Sequence, residues 1–383
     1  MPLLLSVLSM SLDFRSSFWG AAMPIVPRSG ADWRRAGARR GTPLVDGRRV
    51  LPATSQNREF LLAAFYGWAS EEGIDWEVLL RESHMYIDEI NAILAAYGRL
   101  LYHAGRPYNH FAETLNGITT KKPSLRKHLQ AAWNVAYGWV QQEPGSHHAA
   151  LPPQVLIALL ATALMWGWSR VAGCLALAFG AILRPGEVCA ALRNQLLLPG
   201  DVFGTMQCAY LSILEPKTRF TAAKHQTAKL DAPDMLAVVS LAFEHLHGDQ
   251  RLWPYSGQTL RVRFRSLLQA LGLPTSVVDN RRPLDLGSLR AGGATWLLNV
   301  SENPDLTRRR GRWLNHKTME IYVQEASSVL YLSTISKPAR DNVFLMVKVF
   351  PTILQMVQQW HAAKIQPSVW PFLFHPAGRV DRT

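Results

Sequence analysis

PLDLGSLRAGGATWLLNVSENPDLTRRRGRWLNHKTMEIY, residues 283–322, reads as three short helices with sharp joints. Ser288 is the expected N-cap of the first, with Arg290 in its opening turn and Leu289, Trp296 and Leu297 on roughly one face. The run Ser301-Glu302-Asn303-Pro304 breaks that helix, and Pro304 can open the second because the first helical position needs no N–H. Arg308, Arg309, Arg310 and Arg312 follow. Asn315 is the expected cap of a last helix on which Met319, Tyr322, Val323 and Ala326 share a face. The stretch thus offers arginines and a phenol, groups able to act on a phosphate.

Moving outward, residues 177–188 read LAFGAILRPGEV. Arg184 stands directly behind an apolar run, where a guanidinium needs a partner or a ligand, and Glu187 lies three residues on, within pairing distance on a helical turn. An ordinary surface salt bridge has the same spelling. Between the two stretches, Leu196–Leu198 and Tyr210–Leu214 have strand composition with Pro199-Gly200-Asp201 as a turn, and a third strand around His225–Leu230 completes a small sheet. Lys217 sits at the tip of the second strand in Glu215-Pro216-Lys217-Thr218. A lone hairpin lysine is ordinarily solvated.

Taken together, the LAFGAILRPGEV box, the EPKT hairpin, SLRAGGATWLL, then GRW, eight residues and Tyr322 resemble, in order and separation, the motifs of the tyrosine site-specific recombinases. The similarity is greatest to the phage-integrase-like enzymes of Crypton-type and DIRS-like mobile elements. What the resemblance implies is a mainly α fold: a helical N-terminal core-binding domain that clamps DNA together with an α-rich catalytic domain bearing a small antiparallel β-sheet. It implies Tyr322 as nucleophile of a 3'-phosphotyrosyl bond, Arg184 and Arg290 on the non-bridging phosphate oxygens, and Lys217 as acid for the departing 5' oxygen. It further implies double-stranded DNA as partner, a homo-oligomer that is tetrameric on synapsed DNA, no cofactor, no metal and no membrane. Trp313 stands nine residues before Tyr322, where its indole N–H can donate to a phosphate oxygen or its ring can simply pack the core. One position departs: the second arginine box of the family is His-x-x-Arg, and here Gly287 takes the histidine's place. His316 is a poor substitute, since nothing in the sequence directs its ring to a phosphate.

The chemistry is consistent with the residue types. Breaking a phosphodiester without metal needs a nucleophile, an acid for the leaving oxygen and fixed positive donors around the developing charge. A phenol titrates near 10, so it needs cationic neighbours or a base. Two other readings stay open on these residues: a DNA-binding relic of a mobile element disabled at Gly287, and a type IB topoisomerase-like enzyme.

The remaining chain fits a basic, two-domain protein. Its 383 residues allow two cores, 48% hydrophobic content suits a globular chain, and a formal charge of +13 favours a polyanionic partner. Cys174, Cys189 and Cys208 lack metal-ligand spacing and read as reduced thiols of an intracellular protein, nuclear in a eukaryote. The apolar start lacks the positive region of a secretory signal, and residues 1–55, with arginines concentrated between 28 and 49, read as a disordered basic arm. Helical periodicity begins at Phe60 and continues to Trp139, giving about four helices in a core-binding domain over 56–145. Lys121, Lys122, Arg126 and Lys127 lie on or beside the last of them, either a grip on backbone phosphates or a solvated basic face. The QQEPGSHHAALPP run, 141–153, is the expected linker. Leu151–Ser169 is uncharged, yet its prolines and the apolar run after it favour two buried helices over a membrane span. The catalytic domain is expected over 150–345. A C-terminal helix and tail occupy 346–383; the apolar face from Val343 to Trp360 either covers this domain or docks on a neighbouring protomer, with the second slightly favoured, and 366–383 read as a loose tail.

Overall fold

The structure is a computed structural model that describes residues 29–41, 50–145, 148–202, 206–216, 225–278 and 281–375. The chain divides into two compact units, Met1–Gly145 and Ser146–Thr383.

The first unit holds α1 (Gly30–Arg39), α2 (Pro52–Glu71), α3 (Trp76–Arg81), α4 (Ile87–His103), α5 (Tyr108–Lys121) and α6 (Gln130–Gln142). Where a disordered arm was expected, α1 forms because Ser29 and Asp32 close a reciprocal capping box; Arg48 and Arg49 lie outside the described residues. Pro52 starts α2 at a position whose N–H has no helical partner to lose. An aromatic core fills the middle: Phe65 meets Trp76 edge-on at 4.7 Å and Tyr97 at 5.0 Å, with Phe111, Leu115 and Trp139 buried around them. A 3-10 turn, Pro123–Lys127, links α5 to α6.

The second unit begins with α7 (Pro153–Met165) and α8 (Ser169–Gly180), both sunk in its core. No helix among the described residues is long and apolar enough to cross a membrane. α9 (Pro185–Ala190) follows, then the antiparallel sheet β1 (Leu196–Leu197), β2 (Ala209–Ile213) and β3 (Gln226–Leu230) in that spatial order. Next come α10 (Pro233–Phe243), α11 (Gly257–Ala270), α12 (Leu286–Ser301), α13 (Pro304–Gly311), α14 (His316–Glu320), α15 (Glu325–Thr334), α16 (Lys337–Ala362) and α17 (Trp370–Phe374). The fold class is therefore the expected one, mainly α with a small antiparallel sheet. Arg193 fastens that sheet: its guanidinium donates to Phe243 O (2.9 Å), Leu196 O (2.6 Å) and Asp201 (2.6 Å). The Arg193 hydrogen bond in turn holds the Asp201 carboxyl below its ordinary range.

Four local expectations change. Asp285, not Ser288, caps α12: its Oδ1 accepts from the N–H groups of Gly287 (2.7 Å) and Ser288 (3.1 Å), while Ser288 is buried and returns a bond to the Asp285 N–H. α14 ends at Glu320, so Tyr322 occupies the turn before α15 and not the face of a continuing helix. α16 lies along α7, and its apolar face of Val343, Phe350, Ile353, Leu354 and Val357 is buried in this unit's own core. The presumed loose tail also contributes: Trp370 is fully buried.

Gly292 and Gly293 set the depth of α12. A Cβ on the first would run into the Leu151 carbonyl, and on the second into the Phe179 carbonyl at the end of α8. The helix that carries Arg290 can therefore rest directly on two stretches of backbone. Ile182, just past α8, takes a positive φ of 51°, costly for a β-branched residue by roughly 1–3 kcal/mol.

Candidate active site

The reason for the Ile182 conformation is visible at its carbonyl. Arg290 is 2% exposed and donates through Nη1 to Ile182 O and through Nη2 to Gly311 O, each at 2.6 Å. Its guanidinium carbon lies 4.8 Å from the Trp313 ring centre and 5.4 Å from that of Tyr322, and those two rings sit 5.0 Å apart. Gly311 is required beneath the indole, since any Cβ there would occupy the Trp313 ring. One fixed guanidinium thus joins the end of α8, the end of α13 and the Tyr322 turn.

Glu187 is the second organiser. Its carboxylate accepts from Arg184 Nη1 (2.8 Å), the Arg184 N–H (2.9 Å) and Arg312 Nη2 (2.6 Å), with Arg290 Nη1 at 4.0 Å. The bond to the Arg184 N–H also caps α9. Burial first, then the neighbouring charges of Arg184 and Arg312, pulls the Arg290 pKa down to about 9, which leaves it protonated at neutral pH. Arg312 is lowered as well, chiefly by burial and against the pull of Glu187.

Arginines 184, 290 and 312 are therefore drawn together around one carboxylate, beside Trp313 and Tyr322. Lys217 falls in 217–224, outside the described residues. The other basic residues sit elsewhere. Arg308 pairs with Asp305 at 3.3 Å, Arg310 pairs with Asp231, and Arg309 is exposed. In the first unit, Lys121 stands 5.2 Å over the Tyr66 ring, Lys122 reaches the Arg81 carbonyl at 3.5 Å, and Arg126 and Lys127 are exposed on the 3-10 turn. His316 faces Asp305 at 3.4 Å.

Arg312 is the residue that sequence reasoning passed over. In a run of four arginines nothing distinguishes the one that turns inward. Its position between Gly311 and Trp313 was the available signal, and a left-handed backbone at φ 59° is what points it at Glu187.

The hydrogen-bonding balance of this cluster differs from that around Arg193. Every described donor of Arg193 finds an acceptor within the protein fold, as given above. Here the buried Arg290 Nε, Arg312 Nε, Arg312 Nη1 and Trp313 Nε1 have no hydrogen-bond partner among the described residues. Buried donors left in this state cost about 1–3 kcal/mol each. No group of histidines, cysteines and carboxylates able to hold a metal ion occurs among the described residues.

No family model and no curated protein matches the chain. Among solved structures it is similar to that of XerA recombinase, at 11% identity and a TM-score of 0.35, over 73% of this chain and 99% of that one. A lambda integrase dimer bound to a COC' core site is similar at 13% identity and a TM-score of 0.42, over 77% and 86%. So is XerH site-specific recombinase bound to a palindromic difH substrate in a post-cleavage complex, at 13% and 0.40, over 63% and 68%.

Proposed function

We propose that this chain is a tyrosine recombinase that breaks and rejoins DNA strands through a 3'-phosphotyrosyl intermediate on Tyr322, of the kind carried by Crypton-type and DIRS-like mobile elements. The observation that carries the reading is the set of partnerless buried donors on Arg290, Arg312 and Trp313, set beside a tyrosine whose ring packs on the same indole.

In the proposed reaction Tyr322 Oη gives its proton to solvent and forms a bond to phosphorus, the bond from phosphorus to the 5' oxygen breaks, and that oxygen takes a proton, with Lys217 as the donor. Arg184, Arg290 and Arg312 hold the non-bridging oxygens with forked donors that stay charged, while Glu187 fixes their directions. The indole N–H of Trp313 adds a neutral donor. The first unit binds the duplex through Lys121, Lys122, Arg126 and Lys127, and the second adds Arg308, Arg309 and Arg310; these contacts position the backbone without reading sequence. Residues 56–145 serve as the core-binding domain and 150–345 as the catalytic domain of an enzyme that assembles as a homo-oligomer on DNA.

A DNA-binding relic is the second reading, favoured by Gly287. Covalent capture decides between them. Purified protein is incubated with nicked suicide duplexes drawn from the element's own flanking DNA, denatured and resolved by size. The expected result is a protein–DNA adduct that maps to Tyr322 after proteolysis. Binding without any adduct would leave only the relic.

A further inference from the structure

The space above Gly287 is occupied. A Cβ built there would lie 2.7–2.8 Å from three atoms of one imidazole, Cγ, Cδ2 and Nδ1 of His148, so the ring lies with its face against the glycine. A side chain at 287 and this placement of His148 exclude one another.

The imidazole is held, not merely near. Its Nδ1 is 2.8 Å from Asp285 Oδ2, and the other oxygen of the same carboxylate caps α12. The His148 carbonyl accepts from Gln324 Nε2 at 2.8 Å, and the Ala150 N–H donates to Gln324 Oε1 at 3.2 Å. The Leu151 N–H donates to Ser288 O at 3.1 Å. Residues 148–151 are thereby stitched to the first turn of α12 on one side and to a residue two places beyond Tyr322 on the other. Gly287 lies three residues before Arg290, one helical turn along the same face. With Nδ1 committed to Asp285, Nε2 is the ring nitrogen left for a ligand. The side chain is 54% exposed and therefore open to a ligand; the cleft it borders is lined by Arg261, Arg265 and Arg282 and by none of Arg184, Arg290, Arg312, Trp313 and Tyr322.

We infer that His148 is a catalytic residue of this site, contributing from the segment after the linker the imidazole that position 287 does not carry, with Nε2 hydrogen-bonded at the phosphate that Tyr322 attacks. The inference rests on the recombinase reading. Gly287 is then the complement of His148 and not a lesion, and a histidine installed at 287 would collide with the ring already there.

The test uses the full chain and the same suicide duplex, with DNA binding measured beside adduct formation. His148→Ala is expected to lower the rate of adduct formation about 100-fold, the usual effect of deleting one such donor or acid, with binding unchanged. Gly287→His alone is expected to fall below wild type. The double variant His148→Ala/Gly287→His is expected to recover at least about tenfold over His148→Ala, because the vacated space now admits an imidazole from the helix. A His148→Ala protein within about threefold of wild type, or a Gly287→His single variant faster than wild type, would overturn the assignment. Failure of the recombinase reading looks different: wild type and Tyr322→Phe would then be alike, neither forming an adduct. In that case the assignment falls too unless His148→Ala abolishes the rise in melting temperature that orthovanadate gives the wild-type protein, while His316→Ala leaves it intact.

Discussion

A Tyr322→Phe protein is expected to bind duplex DNA as tightly as wild type and to form no covalent adduct at all. Phenylalanine keeps the ring against Trp313 and beneath Arg290, and the Tyr322 hydroxyl makes no hydrogen bond among the described residues, so folding should be unaffected. The change removes only the atom that would bond to phosphorus, and no neighbouring group can take over that bond. A gel-shift titration measures the binding and denaturing electrophoresis the adduct. An adduct that persists in the Phe protein would place the nucleophile on another residue and end the assignment of Tyr322.

The second large effect is structural. Arg290→Met should destabilise the second unit by roughly 2–4 kcal/mol, read as a shift of the urea midpoint with the slope unchanged. Methionine matches the length and tolerates burial, so the loss comes from the carbonyls of Ile182 and Gly311, which lose charge-assisted donors in a dry setting. Relief from burying a cation offsets part of this, which is why the figure stays below the sum of two such bonds. Arg290→Lys should recover little, because an ammonium cannot span two carbonyls that belong to different segments. A midpoint within about 0.5 kcal/mol of wild type for Arg290→Met would show that Ile182 and Gly311 do not depend on this side chain.

Much of the fold was legible because it is written in local chemistry. The prolines at 52, 153, 185 and 304 open helices, Asn303 and Asn315 cap them, and the apolar runs at 153–165 and 169–180, with Arg170 the one charge between them, are core helices too short to span a bilayer. The misplacements were also local. Asp285 and Ser288 both suit an N-cap, and which of them takes the role depends on whether α12 gains one more turn. The amphipathic spacing through Tyr322 was followed past the point where α14 stops, since Met319 and Tyr322 face the same cluster from a helix and from a turn. For the site, the resemblance singled out Arg184, Lys217, Arg290, Trp313 and Tyr322, with Glu187 beside Arg184; the structure brings all but Lys217, which lies outside the described residues, into one cluster. The inward turn of Arg312 and the contact between His148 and Asp285, 137 residues apart, are products of tertiary packing. Neither leaves a trace in local periodicity.

The shared carboxylate of Glu187 has a consequence in terms of charge. Three guanidiniums and one carboxylate sum to a surplus of two positive charges around the partnerless donors. A phosphodiester brings one negative charge to such a place; the five-coordinate arrangement formed when an oxygen attacks it carries two. On the proposed reading, these four groups alone match the charge of the five-coordinate species more closely than that of the resting strand. Without Glu187 the surplus would rise to three, and on the same reading the distinction between the two species would weaken.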